Sequence, residues 1–97
     1  MISRDNQHSL KEVIDELIHA YGMDDKLLEV SLIDSWEEVA GNIYAAHTEH
    51  LSIKAKTLYV KIDAPALRQE LAMQRSELIR KLNKKTGKKV IDDIVFR

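Results

Sequence analysis

The chain contains no cysteine, which excludes a disulfide framework and any thiolate-based site and suits a cytoplasmic protein. Glycine is scarce, and Gly22, Gly41 and Gly87 stand far apart, so no glycine-rich loop is available to cradle a phosphate. No apolar run approaches the roughly 18 to 20 residues a membrane span needs, and residues 1–6 lack the apolar segment of a secretory signal. The acids of residues 12–38 fall mostly at polar helical positions. With no nucleophilic thiol and no phosphate loop beside them, no catalytic constellation is expected, and neither a cofactor nor a small-molecule substrate. His47 and His50 flank Glu49, but a zinc site wants three or four ligands, and His8 and His19 belong to a distant helix, so no metal is expected. His47 is better suited to fixing a helix-to-strand junction by hydrogen bonding.

What is present fits one domain over residues 1–97. The 97 residues are 44% hydrophobic and 32% charged, an ordinary soluble composition. The net charge of −1 conceals a strong polarity. Residues 1–50 carry eleven acids and three bases, a balance of −8, whereas residues 51–97 carry twelve bases and five acids, a balance of +7. Such halves suit a basic surface for a polyanion and an acidic one for a protein partner, or two halves that attract each other within one fold.

Periodicity divides the chain. Ser9 is a predicted N-cap with Glu12 in the capping-box position, and Leu10, Val13, Ile14, Leu17, Ile18 and Tyr21 follow as a helical stripe ended by Gly22. Asp24 or Asp25 caps a second helix whose stripe runs Leu28, Leu32, Trp36, Val39 and Ile43, with a stop or kink at Gly41-Asn42 and a short helical turn over residues 42–47. From Leu51 the period becomes two. Leu51, Ile53 and Ala55, then Leu58, Val60 and Ile62, predict two strands joined by a tight turn around Lys56.

Residues 63–89 predict one long helix, opened by Ala64-Pro65, with Leu67, Leu71, Gln74, Leu78 and Leu82 on its inner side and Gly87 as a left-handed C-cap after basic residues that complement the helix dipole. Residues 90–96 predict a closing strand with Ile94 and Phe96 inward. The order ααββαβ gives an α+β fold in which the long helix covers one face of a three-stranded sheet, with the last strand parallel to its neighbour.

Trp36, Gly41, His47-Thr48, the hairpin strand Leu58-Tyr59-Val60-Lys61-Ile62, Leu67 and Leu71, Leu82-Asn83 and the close Ile94-Val95-Phe96-Arg97 arrive in the order of a known bacterial family. In these residues the chain, from about Leu28 to its end, resembles the DciA-like family of replicative-helicase accessory proteins. The resemblance implies a KH-like domain that acts through the replicative DNA helicase and through DNA rather than by catalysis. The sequence departs from the family where Lys56-Thr57 replaces a usual glycine in the hairpin turn and Leu67 replaces an aromatic. Larger members carry a flexible extension with no counterpart in these 97 residues. The Gly-x-x-Gly loop of true KH domains is also absent.

The basic residues Arg80, Lys81, Lys84, Lys85, Lys88 and Lys89 are the strongest candidates for nucleic-acid contact, since lysines are mobile point charges suited to phosphates. Lys54, Tyr59 and Lys61 on the outer face of the hairpin extend that set, the tyrosine ring offering a surface for a base. Glu12, Asp15, Glu16, Asp24 and Asp25 are the candidate docking face for the helicase. A stand-alone KH-like RNA-binding module and a purely protein-binding domain are the competing readings.

Overall fold

A computed structural model of the chain describes residues 9–22 and 24–97. The expectations placed on residues 1–6 and on His8 lie outside the described residues, as does the side chain of Ile18. Six helices and three strands follow in the order α1 (Leu10–Ala20), α2 (Asp24–Asp34), α3 (Trp36–Ala40), α4 (Asn42–Ala46), β1 (Thr48–Lys54), β2 (Thr57–Ile62), α5 (Pro65–Met73), α6 (Arg75–Thr86) and β3 (Asp93–Phe96). The chain is α+β, as its periodicity predicts.

Ser9 caps α1, its Oγ accepting the Glu12 N–H at 3.2 Å. The apolar stripe of α1 is not buried, contrary to expectation: Leu10, Ile14, Leu17 and Tyr21 all face solvent, Tyr21 at 78% exposure. The expected second helix is broken once more than expected, at Ser35, into α2 and α3, while the stop at Gly41 and the short helical turn after it, α4, form as expected. Ser35 returns its hydroxyl to the Ser31 carbonyl at 2.9 Å, a back-bond that bends helices, and Gly41, at φ +100°, ends α3. Leu32 and Trp36 stay in the core with Leu28 and Val39 packed against it, but the break at Gly41 turns Ile43 outward, where it is 71% exposed.

The hairpin forms as expected. Ala55 and Lys56 make a two-residue turn with φ of +50° and +62°, the positive values of a type I′ turn built without its usual glycine or asparagine. β1 pairs antiparallel with β2, with a bulge at Glu49, and β2 pairs parallel with β3, giving the sheet order β1-β2-β3. Leu58, Val60 and Ile62 point to the core beside Ile94, and the helices cover that face. The alternate positions His50, Ser52 and Lys54 on β1, Thr57, Tyr59 and Lys61 on β2, and Val95 on β3 therefore line the opposite face.

The predicted long helix is two, α5 and α6, parted at Gln74, whose φ and ψ of −101° and 10° leave the helical region. Leu71, Leu78 and Leu82 are nonetheless buried together, whereas Gln74, expected in the stripe, is exposed. Gly87 takes the left-handed cap at φ +82°, its N–H donating to the Asn83 carbonyl at 2.9 Å. The last strand begins later than predicted because Asn83 claims the backbone before it. The Asn83 Oδ1 accepts the N–H groups of Val90 and Ile91 at 2.9 and 3.1 Å, and its Nδ2 donates to the Ile91 carbonyl at 2.8 Å. Val90 and Ile91 thus enter the core from a loop rather than from the sheet.

Candidate nucleic-acid interface

Helix α6 buries Leu78 and Leu82 against the sheet and turns its other side to water. Four residues on that side, Arg80, Lys81, Lys84 and Lys85, line one open hollow, with no other side chain among the described residues in its wall. The helical period explains the grouping, since positions 80, 81, 84 and 85 share a face while 78 and 82 share the buried one. Two of the four charges are already engaged. Arg80 forms a forked ion pair with Glu77, which raises the guanidinium pKa and lowers that of the Glu77 carboxyl. Lys85 Nζ lies 2.6 Å from the Glu38 carboxylate of α3. Lys81 and Lys84 have no carboxylate partner among the described residues.

Lys88 and Lys89 do not join that hollow, because the Gly87 cap redirects the chain and carries them into a different groove. That groove, of about 390 Å³, is lined by Lys56, Lys88, Lys89, Leu28 and Val90 with Asp25 and Glu29 on its acidic wall. Two constraints hold it in shape. Asn83 fixes the loop over Val90 and Ile91, and the Asp92 N–H donates to the Lys56 carbonyl at 2.9 Å, tying the hairpin tip to the end of α6. Lys56, expected only as a turn residue, thereby joins two other lysines, and no spacing in the sequence singles it out for that place.

The outer sheet face holds the remaining candidates. Among the described residues no carboxylate pairs with Lys54 or Tyr59 there, whereas Lys61 Nζ is 3.5 Å from the Glu49 carboxylate at the bulge. The guanidinium of Arg97 lies over the Tyr59 ring, 4.8 Å from its centroid. The sheet separates this face from α6, so the two groups do not form one flat patch. They approach each other around the sheet end, where Lys54 leads into Lys56 at the hairpin tip. Arg97 was not among the predicted contacts, and no spacing in the sequence announces it, because the parallel pairing of β3 with β2 creates the neighbour relation.

The acidic candidates lie on α1 and α2. Asp24 is hydrogen bonded to His19, which raises the imidazole pKa, and Asp15 pairs with Lys11 at 3.1 Å. Asp15 and Asp24 border a second groove with Leu27, Leu28 and Lys88, and Asp25 borders the groove of Lys56. Glu12 and Glu16 are exposed on α1. The acidic and basic surfaces therefore meet along a seam at Lys88. Ion pairs also cross between the two halves at Lys85–Glu38 and Lys61–Glu49, so part of the charge polarity is spent inside the fold.

The histidine at the junction is engaged as expected, His47 Nδ1 lying 2.8 Å from an Asp63 carboxylate oxygen. Among the described residues no group of three or more His, Asp or Glu side chains gathers closely enough to hold a metal. No helix among them is long and apolar enough to cross a membrane. Trp36 is buried, its Nε1 donating to Thr48 Oγ1 at 3.0 Å, so its ring serves the core.

The sequence model of the family described as Dna[CI] antecedent, DciA, matches residues 9–96. The chain belongs to the DciA family. Comparison with curated proteins and with solved structures gave no match. DciA proteins are non-enzymatic accessory proteins of the helicase-loader kind, associated with the replicative helicase and with DNA. In this member Ala55 and Lys56 make the hairpin turn at positive φ, with no glycine.

Proposed function

We propose that this DciA protein binds DNA along a basic track and brings the replicative helicase to it, the whole chain of residues 1–97 acting as one cytoplasmic, non-enzymatic unit. The track starts in the hollow of Arg80, Lys81, Lys84 and Lys85, turns with the chain at Gly87 to Lys88 and Lys89, and crosses Lys56 to the outer sheet face of Lys54, Tyr59, Lys61 and Arg97. The observation that carries this reading is the hollow that, among the described residues, is walled by four basic side chains alone. A wall of that kind offers phosphate oxygens several partners and offers an apolar or cationic ligand none. The Tyr59–Arg97 stack favours single strands, because a guanidinium plane resting on a ring is a surface on which an unpaired base can stack. The helicase docks on the acidic side, at Glu12, Asp15, Glu16, Asp24 and Asp25.

The test is helicase loading on single-stranded DNA circles coated with single-strand-binding protein, with the host's own helicase. The parent protein accelerates loading. A variant with Lys81, Lys84, Lys88 and Lys89 replaced by Gln binds the helicase as before but accelerates loading little or not at all. Full acceleration by the variant would remove DNA contact from the function, and preference for matched RNA over DNA in competition would favour the RNA-module reading.

A further inference from the structure

The first helix presents an apolar stripe that nothing among the described residues covers. Leu10, Ile14, Leu17 and Tyr21 recur at i, i+4, i+7 and i+11, the spacing of a face built to be buried, yet all four are exposed. Leu27 and Val30, on the side of α2 turned away from the core, are exposed as well. The Gly22 N–H closes α1 on the His19 carbonyl, and the His19–Asp24 hydrogen bond links the end of α1 to the start of α2, so the two apolar sets lie on consecutive helices. Single exposed leucines need no explanation, but six large apolar side chains on two consecutive helices do.

Charge selects what covers them. Residues 9–34 hold seven acids and two bases, a balance of −5, and among the described residues Glu16, Asp25 and Asp34 have no ion-pair partner. A second copy of the same segment would bring −5 against −5 and is repelled. An anionic membrane or nucleic acid is repelled likewise. A helix with one apolar side and Lys or Arg along its flanks satisfies both the stripe and its rim, in the manner of an amphipathic helix laid in an apolar groove.

We infer that the exposed apolar face of α1, continued by the start of α2, is the seat of a basic amphipathic helix contributed by the helicase, with Leu10, Ile14, Leu17 and Tyr21 as anchors and the surrounding acids as rim. The inference rests on the helicase-docking reading above and adds to it the chemistry of the contact: the anchors are apolar, and the acids steer.

The experiment measures binding of the full chain to the host's replicative helicase by isothermal titration calorimetry, with DNA affinity and thermal melting measured in parallel. I14Q/L17Q is the anchor variant, glutamine keeping helix propensity while removing the apolar surface. It should weaken helicase binding by at least about tenfold for each side chain, with melting temperature and DNA affinity unchanged. E16K/D25K should instead slow association and flatten its salt dependence. Hydrogen exchange on the helicase side should show protection on a helix bearing Lys or Arg. No binding of the helicase by the parent would overturn the docking reading itself, and this inference with it. Parental binding kept intact by I14Q/L17Q would overturn the inference alone. So would a clear fall in its melting temperature, showing the stripe already packed, or a parent dimer that becomes a monomer in the variant, showing that the stripe pairs with itself. Protection confined to an acidic segment of the helicase would overturn the charge argument.

Discussion

Lys56 holds a backbone conformation that L-residues avoid, with φ of +62° beside Ala55 at +50°, and it does so in the groove it shares with Lys88 and Lys89. A glycine there would relieve about 1 kcal/mol of strain after its own entropic cost is counted. Lys56→Gly should therefore raise stability by about that amount, measured by chemical denaturation, while weakening DNA binding and its salt dependence by about one phosphate contact. Opposite signs for stability and binding are expected of a strained residue retained for contact. A loss of stability, or unchanged DNA binding, would make Lys56 a turn residue and nothing more. Asn83 is the second decisive residue. It satisfies two N–H groups and one carbonyl ahead of β3, so Asn83→Ala should cost about 2–3 kcal/mol, because buried partners are left unpaired. A variant as stable as the parent in urea would mean that water replaces the amide at no loss. Neither role was visible in the linear sequence. Lys56 reads as an ordinary turn position and Asn83 as the polar end of a helix, and only the approach of the hairpin tip to the α6–β3 loop gives them their partners.

At the scale of elements, the hairpin, the inward set Leu58, Val60 and Ile62, the left-handed cap at Gly87 and the parallel last strand were all legible, because alternation and cap chemistry are local. The break at Gln74 was not. Leu71 and Leu78 are seven residues apart, so the helical period runs across the break without a phase shift, and no glycine or proline marks it. The Tyr44 hydroxyl lies at this break, donating to Glu70 at 2.8 Å with the Gln74 amide 3.5 Å away, a contact across the chain that no local pattern encodes. The exposure of α1 was hidden for a related reason: amphipathicity states that a face is to be buried but not against what. The junction of α1 with α2 also carries a pH dependence. The hydrogen bond that the imidazole donates to Asp24 raises the pKa of His19 above its ordinary value, so the protonated imidazole favours the native junction. That contribution is fully present below the ordinary histidine pKa and is lost as pH rises through the raised one. Amide protection in the last turn of α1 should therefore fall, relative to α6, across that interval once intrinsic exchange rates are corrected. His19→Gln should abolish the change, and an identical pH profile in parent and variant would show that the pair contributes nothing in solution.

Across the whole molecule, the charge polarity of the sequence becomes two surfaces that meet at Lys88, with Lys85–Glu38 and Lys61–Glu49 spending part of it internally. Among the described residues Lys54, Lys56, Lys81, Lys84, Lys88 and Lys89 form no ion pair, and they are spread over the outer sheet face, the hairpin tip, α6 and the loop after it rather than on one flat patch. Lysines so placed contact phosphates without reading bases, so affinity should depend on salt and little on sequence. The most direct measurement is the slope of log affinity for single-stranded DNA against log salt, for the parent and for the protein with Lys81, Lys84, Lys88 and Lys89 changed to Gln. The substitutions are at exposed positions and should move stability by no more than about 0.5 kcal/mol each. If the track binds phosphates, the parent slope is several times −0.7, and the variant loses about 0.7 for each contact removed, with affinity falling equally on unrelated sequences. A folded variant with the parent's affinity and slope would contradict DNA binding along this track.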